Sequence, residues 1–292
     1  MKIAIASGKG GTGKTLVSAS LAAVWERPVK AVDLDVEEPN LHLFLKPEID
    51  GTQPAYMPVP VVDEEKCSYC RACAELCQYK AISVLGSVVM TFTDMCHGCG
   101  GCMAVCPTGA ITTGRRILGE ISWGRAGGAG FIMGCLRVGE AMSPPLIRQV
   151  LAQVNRKDLS APTADVLFDA PPGVSCPAVS AVLDSDVIVL VTEPTPFGLF
   201  DLRLAHQAFA PMGKPMGVVV NRAGLGDEHV HRFCRKSGLP ILAEIPYDRN
   251  IAGTYARGGI VARDMPSMAK RFVALQRAID DLVHNKAEAH HA

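Results

Sequence analysis

The stretch Lys2-Ile-Ala-Ile-Ala-Ser7-Gly8-Lys9-Gly10-Gly11-Thr12-Gly13-Lys14-Thr15 decides how this chain is read. Residues 2–7 form a short apolar run of strand character. Gly8 to Thr15 is a glycine-rich loop, and Leu16 to about Trp25 reads as a helix. Two fingerprints overlap in the loop. Gly8-Lys-Gly10-Gly-Thr-Gly13 fits G-x-G-x-x-G, the dinucleotide pattern, and Asp33 and Asp35 fall about where a ribose-binding acid would sit. The segment then continues into Lys14-Thr15 and completes G-x-x-x-x-G-K-T. In such a loop Gly8, Gly10, Gly11, Thr12 and Gly13 place backbone N–H groups and a helix N-terminus around phosphates. Lys14 brings a cation to the β and γ oxygens, and the Thr15 hydroxyl ligates Mg²⁺. A dinucleotide site has no use for Lys-Thr there, so the phosphate reading is the stronger.

Outward from the loop, Val29 to Asp33 reads as a second strand, which gives a β–loop–α–β opening and predicts a parallel sheet. The rhythm stops near Pro54–Pro60 and resumes after Arg116. The segment 117–140 (ILGEISWGRAGGAGFIMGCLRVGE) reads as two strands around a glycine turn. Further strands are predicted at 165–169, 186–192, 216–221 and 240–245. The expected fold is α/β: a doubly wound, mostly parallel sheet over 1–56 and 119–292, interrupted by an α+β insert at 57–118. A last helix, about 267–284, carries Met268, Phe272, Leu275, Ile279 and Leu282 at helical spacing. It is expected to pack on the sheet rather than on a membrane, because it lacks a strongly basic face.

The bulk properties narrow the classes. The 292 residues are 48% hydrophobic and 20% charged, and 29 basic side chains balance 29 acidic ones. That balance speaks against a nucleic-acid footprint. No apolar run is long enough to span a bilayer, and the start does not read as a signal peptide, so a cytoplasmic setting is expected.

Of eleven cysteines, eight lie between Cys67 and Cys106, and Cys135, Cys176 and Cys234 are scattered. An odd total without an export signal favours metal ligation over disulfides. The order is Cys67-x2-Cys70-x2-Cys73-x3-Cys77, then Cys96-x2-Cys99-x2-Cys102-x3-Cys106-Pro107. The second run matches the bacterial ferredoxin signature; the first has Gln78 where proline is usual. In that arrangement three thiolates serve one cubane and the fourth serves the other. The resemblance implies one [4Fe–4S] cluster on Cys67, Cys70, Cys73 and Cys106, and a second on Cys96, Cys99, Cys102 and Cys77. Zinc is the competing reading, since C-x-x-C pairs also build zinc sites, although these spacings suit it poorly. Segments 81–84 and 110–113 follow the two runs as pseudo-repeats and look like hairpin strands of a two-cluster ferredoxin.

Lys9 extends the phosphate loop into a pattern, KGGTGKT, that resembles the deviant Walker A motif of the MinD/ParA/Mrp superfamily. Asp33-Leu-Asp35, Asp169-Ala-Pro-Pro-Gly173 and Asn221-Arg222 fall in the same order as that family's further motifs, each at a strand end. GCLRVGEAMSPPLI and VTEPTPFGLFDL add to the match. The resemblance implies an ATPase that closes as a homodimer, or as a heterodimer with a paralogue, around ATP. Lys9 would cross to the partner's nucleotide, and Asp35 would orient the attacking water. Asp169 would hold Mg²⁺ through water, and Gly173 would meet the γ-phosphate by its N–H. Asn221 with Arg222 would read adenine. Asn40 is a weaker match. Cys176, three residues beyond Gly173, suggests either an interface metal ligand or an apolar filler.

Function then divides. ATP could gate electron transfer from the clusters, or drive metal-cofactor assembly on a metal- or iron–sulfur-binding partner. A passive cluster carrier and a ParA/MinD-like positioning ATPase are the alternatives. Neither a nucleic-acid nor a membrane partner is expected.

Overall fold

The structure is a computed structural model that describes residues 1–154 and 164–291, with side chains described through residue 285. The strands are β1 (Lys2–Ala6), β2 (Val29–Asp33), β3 (Glu48–Val62), β4 (Ile82–Leu85), β5 (Val88–Thr91), β6 (Ile111–Ala126), β7 (Ala129–Leu136), β8 (Asp165–Asp169), β9 (Val187–Thr192), β10 (Met216–Ala223) and β11 (Ile241–Pro246). The helices are α1 (Lys14–Val24), α2 (Leu41–Leu45), α3 (Ala72–Leu76), α4 (Gly101–Ala104), α5 (Ser143–Val154), α6 (Cys176–Val182), α7 (Pro196–Phe209), α8 (His229–Lys236), α9 (Arg249–Ala256), α10 (Val261–Asp264) and α11 (Pro266–His291).

A nine-stranded sheet follows the order β11-β10-β9-β1-β8-β2-β7-β6-β3. From β11 to β7 every pairing is parallel. These strands are near-continuous runs of Val, Ile, Leu and Ala, as strands covered on both faces must be. The register sets Asp169 of β8 beside Asp33 of β2 and beside Ile5 of β1. The expected pair of strands around a glycine turn is β6 and β7, joined through Gly127-Gly128 with φ of 59° at Gly127. A two-residue turn requires antiparallel neighbours. Prolines 54, 58 and 60 lie within β3, where the sequence appeared to break off. They are tolerated because β3 is the edge of the sheet and owes no N–H on its outer side.

The chain divides into two compact units. The larger is Met1–Thr52, Ile121–Cys135 and Ile147–Ala292; the smaller is Gln53–Glu120 with Leu136–Leu146. The boundary read from the sequence, 119–292, puts Leu136–Leu146 in the larger part, and the structure corrects it. Within the smaller unit it is tied by Glu140, whose carboxylate pairs with Arg116 and accepts the N–H groups of Ala141 and Met142, and by Arg137, which donates to Asp94. The larger unit's core joins α1, the sheet and α11 through Leu16, Val17, Leu21, Phe131, Val189, Phe272, Leu275 and Ile279. The last helix therefore spends its apolar stripe on that core. The smaller unit has a slight core of its own, around Cys73, Ile82, Val84 and Ile111. Segment 81–84 leads into β4 of the short β4–β5 hairpin, whereas 110–113 opens β6, a long strand of the nine-stranded sheet.

Candidate functional site

The phosphate loop joins β1 to α1, and its parts face different ways. A cleft of about 400 Å³ is lined by Gly10, Gly11, Gly13, Lys14 and Thr15, with Asp35, Glu38 and Asn40 on one side and Pro172 on another. That volume lies within the roughly 300–1,000 Å³ of small-molecule sites. Gly8 does not line it. A Cβ there would meet the Asp201 carbonyl oxygen at 2.1 Å, so Gly8 exists to let α7 approach the loop. Thr12 also faces inward, and its carbonyl accepts from the Asn221 amide at 2.8 Å. Gly13 caps α1 with φ of 99°, and a Cβ on it would strike Asn221 Nδ2 at 2.2 Å. The helix N-terminus thus opens at Lys14, where backbone N–H groups favour an anion.

Around Lys14 the strand ends gather three carboxylates. Asp169 accepts from the Thr15 hydroxyl at 2.8 Å and from the Ser18 hydroxyl at 2.9 Å. Asp33 accepts the N–H groups of Asp35 and Leu41, which ties down the loop after β2. Burial pushes the Asp33 and Asp169 carboxyls above the ordinary range, and their proximity adds to the rise at Asp33. Burial, opposed by Lys14, also pushes Asp35 up to about 6. Burial lowers the Lys14 ammonium against the pull of Asp169, Asp35 and Asp33. Asp169 beside the Thr15 hydroxyl offers oxygen ligands of the kind a hard divalent cation takes.

Three expected residues behave differently from expectation. Gly173 does not line the cleft; its N–H donates to the Ser7 carbonyl at 3.0 Å, so it is already engaged in this structure. Asn221 lines the cleft, but its amide oxygen accepts the Arg222 N–H and its nitrogen donates to Thr12. One amide hydrogen remains for a base. Lys9 points into its own fold, donating to Glu193 at 2.8 Å. Cys176 is exposed at the start of α6, Cys135 is partly exposed, and Cys234 is buried with its thiol pushed up to about 11 by that burial.

Sequence reasoning missed the far end of the cleft, built by Pro246, Tyr247, Asp248, Ile251, Ala252 and Tyr255. The rule that ligands sit at the carboxyl ends of parallel strands could have found Pro246–Asp248, which closes β11. It also gave no role to Glu193, buried just after β9 within the segment VTEPTPFGLFDL.

In the smaller unit the eight clustered cysteines separate into two sets. Cys67, Cys70, Cys73 and Cys106 line one cavity; Cys77, Cys96, Cys99 and Cys102 line another. Cys77 and Cys106 have thus changed places. The Cys67 and Cys96 sulfurs each accept a backbone N–H at 3.4 Å, from Tyr69 and Gly98, and the Cys77 sulfur accepts that of Ala81 at 3.3 Å. Burial raises the Cys73 and Cys102 thiols. Among the described residues, no three His, Cys, Asp or Glu side chains converge on a single ion. No described helix is long and apolar enough to cross a membrane.

Comparison with known proteins places this geometry. Two uncharacterized proteins of Methanocaldococcus jannaschii are similar: MJ0579 is 29% identical over 269 residues, 88% of this chain and 90% of its own, and MJ0578 is 35% identical over 210 residues, 70% of this chain and 72% of its own. Pyruvate synthase subunit PorD of Thermotoga maritima shares 42% identity over 53 residues, 18% of this chain and 54% of that protein. Among solved structures, the septum site-determining protein MinD of Pyrococcus horikoshii, complexed with Mg-ADP, superposes with a TM-score of 0.61 over 96% of both chains at 23% identity, a likeness of fold. The profile of the CobQ/CobB/MinD/ParA nucleotide binding domain matches residues 3–261, which takes in the phosphate loop, the three acids and the Asn221 strand end. With that match, this chain belongs to the CobQ/CobB/MinD/ParA family of P-loop nucleotide-binding ATPases.

Proposed function

We propose that the chain is a MgATP-hydrolysing iron–sulfur protein, whose nucleotide-driven dimer closure serves electron transfer to, or metal-cofactor assembly on, a partner protein. One observation carries this: a single chain holds an acid-lined phosphate cleft and, in another unit, two cavities each ringed by four cysteines. Four thiols around a cavity, without convergence on one ion, suit a cluster better than zinc, whose sulfurs would lie about 2.3 Å from a single centre. The short likeness to a pyruvate synthase subunit adds slight support.

In this reading the loop N–H groups and Lys14 hold the phosphates, and Thr15 with Asp169 would hold Mg²⁺, which offsets phosphate charge. Asp35, ionised for the most part at neutral pH, orients a water toward the γ-phosphate. Gly173 leaves the Ser7 carbonyl to meet that phosphate, and Lys9 reaches the nucleotide of a second chain. The second chain is another copy or a paralogue; two M. jannaschii relatives in one organism give the paralogue a precedent. Cys67, Cys70, Cys73 and Cys106 would hold one cubane, and Cys96, Cys99, Cys102 and Cys77 the other. Such clusters supply one-electron transfers. A positioning ATPase is the second reading, favoured by the fold shared with MinD.

Anaerobic purification should give about eight iron and eight sulfide per chain. Lys14→Ala should lose nucleotide binding, and Asp35→Ala should bind ATP and hardly turn over. Stoichiometric zinc without an electron-spin signal on reduction would refute the iron–sulfur half. Normal turnover by Lys14→Ala would refute the ATPase half. Full function in a chain stripped of iron would favour positioning.

A further inference from the structure

Glu193 is the buried acid that the phosphate chemistry leaves unused. Its side chain is 9% exposed, yet both carboxylate oxygens are engaged, one by Lys9 Nζ and one by Arg222 Nη1, each at 2.8 Å. The surroundings are built for it. Gly198 of α7 carries no Cβ, and one there would strike the Glu193 carbonyl oxygen at 2.1 Å and its Cγ at 2.9 Å. Thr195 caps α7 by accepting the Gly198 N–H and lies 3.4 Å from the same carboxylate. Gly8 lets the Asp201 backbone come equally close on the other side, and Asp201 Oδ2 stands 4.0 Å from Lys9 Nζ. The Lys9 ammonium also lies 5.9 Å from the Phe197 ring centroid. Two glycines, a cap and two acids therefore converge on holding one lysine inward.

We propose that Glu193 is a positioning residue that parks Lys9 against its own chain and so sets how readily Lys9 is delivered to a second copy. The inference rests on the reading that Lys9 acts in trans. Arg222 makes the arrangement a latch and not a lock. When Lys9 departs, a lone buried carboxylate would be costly, but Arg222 stays as its counter-ion. What draws Lys9 away must out-compete a carboxylate. The triphosphate of a second chain, with more charge than a diphosphate, does so better.

The test uses full-length anaerobic protein and follows dimer formation by sedimentation, against chain concentration, with Mg²⁺ and a non-hydrolysable ATP analogue or ADP. Glu193→Gln keeps the shape and removes the charge. With the analogue it should lower the concentration for half-dimerisation about a hundredfold, since each dimer releases two latches and losing one charge-assisted hydrogen bond is worth about tenfold. A merely structural role predicts the opposite, a weaker dimer. Glu193→Asp, which withdraws the carboxylate by one methylene, should tighten the dimer by a smaller factor and serves if the Gln variant does not fold. Unchanged or weaker dimers in these variants, with Lys9→Ala monomeric, would overturn the parking role and leave the trans role standing. A Lys9→Ala protein that dimerises like wild type would overturn the trans role itself.

Discussion

The two cysteine turns of the smaller unit run the same backbone through different residues. Cys67 and Cys96 are 29 positions apart, as are Cys77 and Cys106. Left-handed φ recurs at that interval: Tyr69 at 55°, Arg71 at 69° and Lys80 at 53°, against Gly98 at 65°, Gly100 at 74° and Gly109 at 63°. The second turn meets these angles with glycine, at no steric cost. The first meets them with three bulky side chains, for which the left-handed region costs about 1–2 kcal/mol each. Yet the sulfur bonds are the same: Tyr69 N–H to Cys67 and Gly98 N–H to Cys96, both at 3.4 Å. The path is therefore set by aiming N–H groups at sulfur, and glycine only makes it easier. The first turn is the strained one, and the proposed cluster would help to hold it in shape.

That contrast can be broken at its strongest point first. Cys77 and Cys106 sit in one turn and face the cavity of the other. Cys106→Ala should abolish the cluster centred on Cys67–Cys73, and Cys77→Ala the one centred on Cys96–Cys102, each reducing iron from about eight to about four per chain. Electron-spin spectra of the two variants should lose different signals. Loss of the cluster from the mutated cysteine's own turn would mean that the exchange is wrong.

Next in size is Gly98→Ala. The new Cβ would lie 2.9 Å from Met57 Cγ in a left-handed backbone. A loss of about 2–3 kcal/mol is expected in the denaturant midpoint of the iron–sulfur absorbance.

The phosphate cleft stores its strain as charge instead. Asp35 is raised from 3.8 to about 6, so its penalty on folding is absent below the unfolded value, builds as pH rises from there and is fully present once pH has passed 6. In nucleotide-free protein Asp35→Asn should unfold about 1–2 kcal/mol less readily than wild type at pH 8, after allowance for partial exposure. The two curves should meet near pH 4. Parallel curves across that range would remove the charge argument. The smallest effect is Arg71→Gly, which relieves backbone strain but loosens the unfolded chain, for a net gain of about 0.5 kcal/mol. A loss there would show that the Arg71 side chain matters more than its backbone.

Much of this was legible because short-range spacing carried it. The phosphate loop, the acids after β2 and β8 and the strands from β8 onward follow from local pattern, and the grouping of cysteines follows from their resemblance to the ferredoxin signature. What escaped depends on contacts that no local pattern records. Leu136–Leu146 joins the smaller unit through Arg116 and Glu140, 24 positions apart. Gly8 looked like part of a phosphate cradle, and its lack of a Cβ serves α7, nearly 200 residues on. The Gly173 N–H was assigned to a phosphate, whereas the Ser7 carbonyl holds it, a competition between two acceptors that sequence cannot rank. Glu193 lies in a segment that matches the family, but only folding brings Lys9 and Arg222 to it.

The pairing of β1 with β8 and β9 has a consequence for the order of birth on the ribosome. β1 is made well before its neighbours, both of which come after residue 164. Everything the cysteine cavities need has been translated by residue 111. At about 5–20 residues per second, roughly 3–12 seconds separate Ile111 from the end of β8. During that interval the nascent chain can close its cysteine turns while β1 still waits for β8 and β9.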